Sequence, residues 1–207
     1  MSKKIQVGDR APDFSLPDRD NNVVSLAKLT GNYKVVYFYP KDDTPGCTIQ
    51  AKQFSKDLSK LSKLKVAVVG ISGGDSKTKT KFCSKHKITV PLLSDTDFSV
   101  SKRYQVFGEK VFMGRKYLGI SRVTFLLDKN GTVLKIWEKA SPEDNSQEII
   151  DAVTGSGSMK TDKKSANATK PKKKAAKASP KATAKKSGAE KKTAVKTRVA
   201  RGKSAKK

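Results

Sequence analysis

Short apolar runs alternate along the chain with stretches of helical spacing. Lys34 to Tyr39 (Lys-Val-Val-Tyr-Phe-Tyr) is a short apolar, β-rich run, as expected of a buried central strand, and Pro40 ends it. Val66 to Ile71 is a second run of this kind. Between them Cys47, Ala51, Phe54, Leu58 and Leu61 recur at intervals of 4, 3, 4 and 3, which is one face of an α-helix beginning around Cys47. Upstream, Ala11 to Leu29 reads as extended chain. A turn at Asp18, Asp20, Asn21 and Asn22 separates Phe14/Leu16 from Val23/Val24/Leu26. Downstream, Asp75 or Ser76 caps a helix running to about His86 and containing Phe82 and Cys83. Pro91-Leu92-Leu93 is a short extended piece, and Phe98 to Tyr104 looks helical. Val123 to Leu127 is another strand, and Asp128-Lys129-Asn130-Gly131 turns it into Thr132 to Trp137. Ser141-Pro142-Glu143 opens a last helix that buries Ile149, Ile150 and Val153. This order predicts an α/β fold with a mixed central sheet flanked by helices.

Composition limits that fold to part of the chain. The protein has 207 residues and a formal charge of +26. Residues 156–207 hold 19 Lys+Arg against 2 Asp+Glu, with no aromatic residue and almost no large aliphatic one. Such a segment buries too little apolar surface to offset its chain entropy. One ordered domain over residues 1–155 is therefore expected, followed by a disordered basic tail over residues 156–207.

Several classes drop out. No apolar run approaches the ~20 residues that span a bilayer, and the N-terminus has no apolar core of a secretory signal. Two cysteines are too few for a disulfide scaffold, and with the single His86 they make a poor zinc site, so neither a metal nor a cofactor is expected. Gly70 to Gly74 reads as a loop without the Gly-Lys-Ser/Thr of a phosphate-binding loop. Gln50 stands where a Cys-x-x-Cys pair would need its second cysteine, which argues against a general disulfide reductase.

Cys47 falls where a central strand gives way to a helix, the edge at which open α/β sheets place their chemistry. Unpaired N–H groups and the positive dipole end there favour an anion, and a thiolate is one. A structural cysteine fits the same position, since free Cys is among the most buried residue types.

The residues around Cys47 carry a resemblance. Pro40-Lys41-Asp42-Asp43-Thr44-Pro45-Gly46-Cys47 resembles the peroxiredoxin pattern of Pro, three residues, Thr, two residues, Cys. Ala11-Pro12-Asp13-Phe14 resembles the family's opening, and Val35 to Pro40 its strand feeding the site. Phe107-Gly108-Glu109-Lys110 and Gly119 to Asp128 resemble segments of the peroxiredoxin Q, or bacterioferritin-comigratory-protein, subfamily. The resemblance implies a thioredoxin-like fold and a thiol peroxidase acting on hydrogen peroxide and organic hydroperoxides. By the same resemblance Cys47 is the peroxidatic nucleophile, and Thr44 holds peroxide and thiolate through its hydroxyl. Arg122 is the cation stabilising the thiolate and the leaving oxygen, and Pro40 shields the site. Taken alone, Arg122 reads as a solvated charge at a strand end.

Two departures from the family pattern matter. A second cysteine five residues after the first is replaced by Lys52. Other members carry the resolving cysteine in the following helix, and Cys83 matches that version. The resemblance thus implies an intramolecular Cys47–Cys83 disulfide, reached by local unwinding and recycled by thioredoxin or a similar dithiol. Were Cys83 a core residue beside Phe82, the enzyme would be of one-cysteine type, reduced directly by an external thiol. Gln50 replaces an acid found in many relatives, so Arg122 is expected to be held less firmly.

The tail resembles pieces of a linker-histone C-terminus at Lys170-Pro171-Lys172-Lys173-Lys174-Ala175-Ala176-Lys177 and again around Lys181, Lys185 and Lys186. A flexible polycation binds phosphate backbone through counterion release without sequence choice, and lacks the stacking groups that single strands prefer. Duplex DNA or chromatin is the partner expected, in the nucleus of a eukaryote or the nucleoid and cytoplasm of a bacterium. No amphipathic or lipidated element favours a membrane. A purely solubilising extension is the plainer reading. Two functions are carried forward: a DNA-tethered, monomeric peroxidase, and a DNA-binding architectural or redox-sensing protein on a thioredoxin-like scaffold.

Overall fold

The computed structural model describes residues 4–155 except Met113. The basic tail and its lysines lie outside the described residues. The elements in order are β1 (Ser15–Pro17), β2 (Val23–Ser25), β3 (Tyr33–Phe38), α1 (Pro45–Lys63), β4 (Val66–Ser72), α2 (Ser76–His86), β5 (Leu92–Ser94), α3 (Ser99–Arg103), β6 (Phe107–Phe112), β7 (Arg115–Ile120), β8 (Val123–Asp128), β9 (Val133–Trp137) and α4 (Asn145–Thr154).

Five strands form one sheet in the order β5-β4-β3-β8-β9. β3, β4 and β5 are parallel, while β8 runs antiparallel to β3 and β9 to β8. The expected mixed sheet is therefore present. Side chains of β3 alternate between its faces, as strand geometry requires. Val36 and Phe38 enter a core with Leu16, Leu26, Val100 and Tyr104. Val35, Tyr37 and Tyr39 enter the opposite core with Cys47, Phe54, Phe82, Cys83 and Ile149, from α1, α2 and α4. Both cysteines thus lie in one apolar cluster.

The register sets up the site. Phe38 at the end of β3 pairs with Val123 at the start of β8. Arg122 consequently arrives beside the point where β3 leads into the loop before α1. Gly70 and Gly73 allow close packing here, because a Cβ on either would strike the rings of Tyr37 and Phe98 respectively.

Three features differ from the sequence pattern. β6 and β7 form a hairpin that the pattern does not announce. Among its described side chains only Phe107 and Ile120 at its base meet the core, while Val111, Tyr117 and Leu118 are exposed, so no period-two alternation runs along it. α4 begins at Asn145 rather than at Ser141, because Ser141 to Asp144 form a turn held by Ser141 Oγ and the Asp144 carboxylate at 2.9 Å. On α1 the buried set includes the polar Gln50 and Asp57, whereas Leu58 is only half-buried. Those two side chains meet α4: Gln50 donates to Asn145 at 3.1 Å, and Asp57 accepts from Ser146 at 2.7 Å. Among the described residues no helix is long and apolar enough to cross a membrane.

The Tyr37 ring stacks on Phe54, with centroids 4.6 Å apart, but its buried hydroxyl has no hydrogen-bond partner. An unpaired buried hydroxyl costs free energy that a phenyl ring avoids. Tyr37→Phe is expected to stabilise the domain by about 1 kcal/mol. In urea unfolding this is a higher midpoint at unchanged slope; a lower midpoint refutes it.

Candidate active site

α1 begins immediately after the loop that leaves β3. Thr44 is its N-cap residue, in extended conformation, and Pro45 follows at the first helical position, where its missing N–H is no loss. The main-chain ladder starts with Thr48 N–H to the Thr44 carbonyl at 2.8 Å. The N–H groups of Gly46 and Cys47 precede that ladder, so Cys47 sits in the electropositive first turn. The turn contains no acidic side chain to compete for it.

The Cys47 thiol is buried, at 2 % exposure. Arg122 Nη2 lies 3.3 Å from its sulfur, and Arg122 Nη1 donates to Gln50 Oε1 at 2.6 Å. Gln50 Nε2 in turn donates to Asn145 Oδ1, which also accepts from Thr124 Oγ1 at 2.8 Å. Gln50, Asn145 and Thr124 are fully buried. The amide oxygen of Gln50 takes the Arg122 guanidinium directly, and its own nitrogen is anchored to α4. Gly46 makes room for this, since a Cβ there would come within 3.1 Å of Arg122 Nη2.

Other expected site residues are placed less directly. The Thr44 hydroxyl donates to the Lys41 carbonyl at 3.1 Å. Pro40 lies exposed at the start of the loop, and Lys52 is exposed on α1. Cys83 is buried on α2, and both thiols are free. His86 ends α2 and meets Asp43 at 2.5 Å, so it is tied to the loop before Cys47.

The sequence pattern did not single out Arg19, Asn145 or Thr124. Arg19 lies in the turn between β1 and β2 and donates to the Ile88 carbonyl at 3.2 Å. It shares with Cys83, Thr80 and Lys87 the wall of a cavity of ≈ 440 Å³. Burial pushes the Cys83 thiol up from its ordinary value, while the Arg19 guanidinium beside it pulls the other way. The signal available in the sequence was one basic residue inside an otherwise acidic and amide turn.

These shifts predict a titration. In Cys47→Ser, alkylation of Cys83 should rise with pH about a midpoint above the ordinary thiol value. Arg19→Gln should move that midpoint further up. A midpoint that falls or stays fixed in Arg19→Gln removes the assigned role of the guanidinium.

A sulfur beside a fixed guanidinium and helix N–H groups is suited to act as a nucleophile whose reaction moves negative charge onto a neighbouring atom. Known proteins agree with that chemistry. The AhpC/TSA family matches residues 7–136. A putative peroxiredoxin Bcp of Coxiella burnetii is 42% identical over 146 residues, covering 70% of this chain and 97% of that protein. Peroxiredoxin Bcp of Escherichia coli K12 is 42% identical over 134 residues, 65% of this chain and 86% of its own. Among solved structures, peroxiredoxin Q of Xanthomonas campestris superposes with a TM-score of 0.64 at 32% identity, covering 69% of this chain and 90% of that one. A PrxQ of Xylella fastidiosa gives 0.69 at 26% identity, over 75% and 99%. The chain belongs to the AhpC/TSA family, among its Bcp and peroxiredoxin Q members, and is a thiol-dependent peroxidase with a thioredoxin-like fold.

Proposed function

We propose that the protein is a two-cysteine peroxidase: Cys47 reduces the hydroperoxide, Cys83 closes a disulfide with it, and an external dithiol of thioredoxin type reopens it. The observation that carries the first step is the Arg122 guanidinium 3.3 Å from the Cys47 sulfur. The Cys47 thiolate attacks one peroxide oxygen and forms an S–O bond. The O–O bond breaks, its electron pair leaves with the other oxygen, and that oxygen takes a proton to become alcohol or water. Cys47 remains as a sulfenic acid. Arg122 faces the negative charge as it passes from sulfur to the leaving oxygen. The Thr44 hydroxyl, turned from the Lys41 carbonyl, holds the peroxide, and Pro40 limits water at the approach.

Cys83 then attacks the sulfenic sulfur. The S–S bond forms, the S–O bond breaks, and the oxygen leaves as water with the proton from the Cys83 thiol. Two observations support Cys83 in this role. It shares an apolar cluster with Cys47. Serine variants of two cysteines of the Xanthomonas protein have been solved, and those two are as far apart in sequence as Cys47 and Cys83. A dithiol restores both cysteines by thiol–disulfide exchange.

The basic tail tethers this chemistry to duplex DNA. Its charge, 19 basic against 2 acidic residues over 156–207, supports that reading. The family match ends at residue 136, and the Coxiella protein is covered over 97% of its length by 146 residues, so most of the remaining chain has no counterpart there. The relatives named above are bacterial, which favours the nucleoid over the nucleus.

Rapid mixing of the reduced protein with one equivalent of hydrogen peroxide, followed by Trp137 fluorescence, tests the catalytic reading. The expected result is a fast phase absent only in Cys47→Ser and a later phase absent in Cys83→Ser. No Cys47-dependent phase, with unchanged thiol counts, overturns it.

Truncation after Gly155 tests the tether. It should abolish most DNA affinity and flatten a salt dependence whose slope reports ~0.9 per phosphate neutralised. Unchanged binding in that truncation refutes it.

A further inference from the structure

Two consecutive carboxylates precede the site, and they point opposite ways. Asp43 adopts a left-handed conformation, φ 58°, which Asp tolerates better than most residues. That turn sends Asp42 inward and Asp43 outward, yet both reach α2. Asp42 accepts from Lys79 Nζ at 3.3 Å and from the Tyr39 hydroxyl at 2.5 Å. Lys79 is fully buried and completes its donors on Ser72 Oγ at 2.6 Å and Tyr39 Oη at 3.2 Å. Gly74 leaves the necessary space, because a Cβ there would collide with the Asp42 carboxylate. On the outside, Asp43 accepts from Lys85 at 2.7 Å and meets His86 at 2.5 Å.

Cys83 lies between these two ties. Lys79 is one turn before it, and Lys85 and His86 close the helix after it. α2 has little helical preference of its own. It is 11 residues long, with Phe82, Cys83 and Lys79 as its buried residues and β-branched Thr78 and Thr80 in its first half. Its helicity therefore rests on contacts with the rest of the domain. The turn after β1 adds lesser ones: Ser76 Oγ donates to the Asp18 carbonyl and Thr80 Oγ1 to that of Arg19, each at 2.9 Å.

We propose that Asp42 and Asp43 form a two-point latch that holds α2 helical against the loop leading to Cys47, and that opening this latch governs how fast Cys83 reaches oxidised Cys47. This rests on Cys83 being the resolving cysteine. Lys79 and Asp43 are then positioning residues. They act on the partition of the sulfenic acid between two fates. Cys83 converts it to the disulfide at a rate independent of peroxide. A second hydroperoxide converts it to sulfinic acid at a rate proportional to peroxide: the sulfur gains a second oxygen, and the peroxide is reduced to alcohol or water. A tight latch slows the first fate and leaves the second untouched. A loose latch protects the enzyme from over-oxidation.

The test uses the full chain in single turnover, with the two phases resolved by rapid mixing and sulfinic Cys47 counted by mass spectrometry. Asp43→Asn weakens the exposed tie without emptying the interior. It should speed the second phase about threefold, the scale of an exposed ion pair. The sulfinic yield at a fixed peroxide excess should fall in proportion, and the first phase should keep its wild-type rate. Asp43→Glu, which retains a carboxylate, should stay nearer wild type. Lys79→Met removes the interior tie and should speed the second phase further, with faster amide exchange confined to α2. If Lys79→Met does not fold, Asp43→Asn decides alone. A second phase that is unchanged or slower in Asp43→Asn overturns the latch. A second phase that survives in Cys83→Ser instead overturns the assignment of Cys83, which separates the two failures.

Discussion

A guanidinium drawn halfway beneath the surface needs partners for its N–H groups, and meeting that need at Arg122 organises much of the domain. Arg122 reaches its position because β8 pairs antiparallel with β3 and begins level with the end of that strand. One arm of the fork meets the Cys47 sulfur and the other the Gln50 oxygen. Gln50 must then be satisfied by α4, and Asn145 at the start of that helix must also receive Thr124, two residues along β8 from Arg122. A single cation thereby fixes a strand and two helices against one another. Gln50 also does something an acid at the same place does not. It orients Arg122 through a dipole and leaves the positive charge uncompensated, so the field at the sulfur is stronger for the same geometry.

The two thiols share a cluster but not an environment. Cys47 has a cation in contact and the first turn of a long helix beneath it. Cys83 sits mid-helix, where burial works against its anion and Arg19 offsets only part of that. This difference suits the two-cysteine division of labour proposed above, in which one sulfur meets peroxide and the other gains its nucleophilic form once its helix opens toward water.

The strands that build the sheet were legible in the sequence because β3, β4 and β8 are covered on both faces and read as mostly apolar runs. α1 was legible through its spacing, and Cys47 at its start through the motif around it. The hairpin of β6 and β7 was not, since among its described side chains only Phe107 and Ile120 at its base meet the core, and its residues follow no period. Lys79 was hidden for a related reason. In a helix with Lys77, Lys81 and Lys85, nothing in composition marks the one lysine that points inward. Its partner Asp42 comes from another element, and pairings between elements leave no periodic trace. Gln50 was visible as a departure from the family pattern, but its brace was not, because Asn145 lies 95 residues away.

The seam between α1 and α4 has a further consequence, for how the chain tolerates change. Gln50 meets Asn145 and Asp57 meets Ser146, so two polar contacts nearly two turns apart on α1 receive adjacent residues at the head of α4. Sliding α4 along its axis by a single residue would strand buried amide and carboxylate groups together, an error too costly to be absorbed by repacking. The helix is therefore keyed like a two-pin plug. A change in the length of the segment between Trp137 and Ser141 would have to be taken up within that segment, because it cannot pass through the keyed helix head.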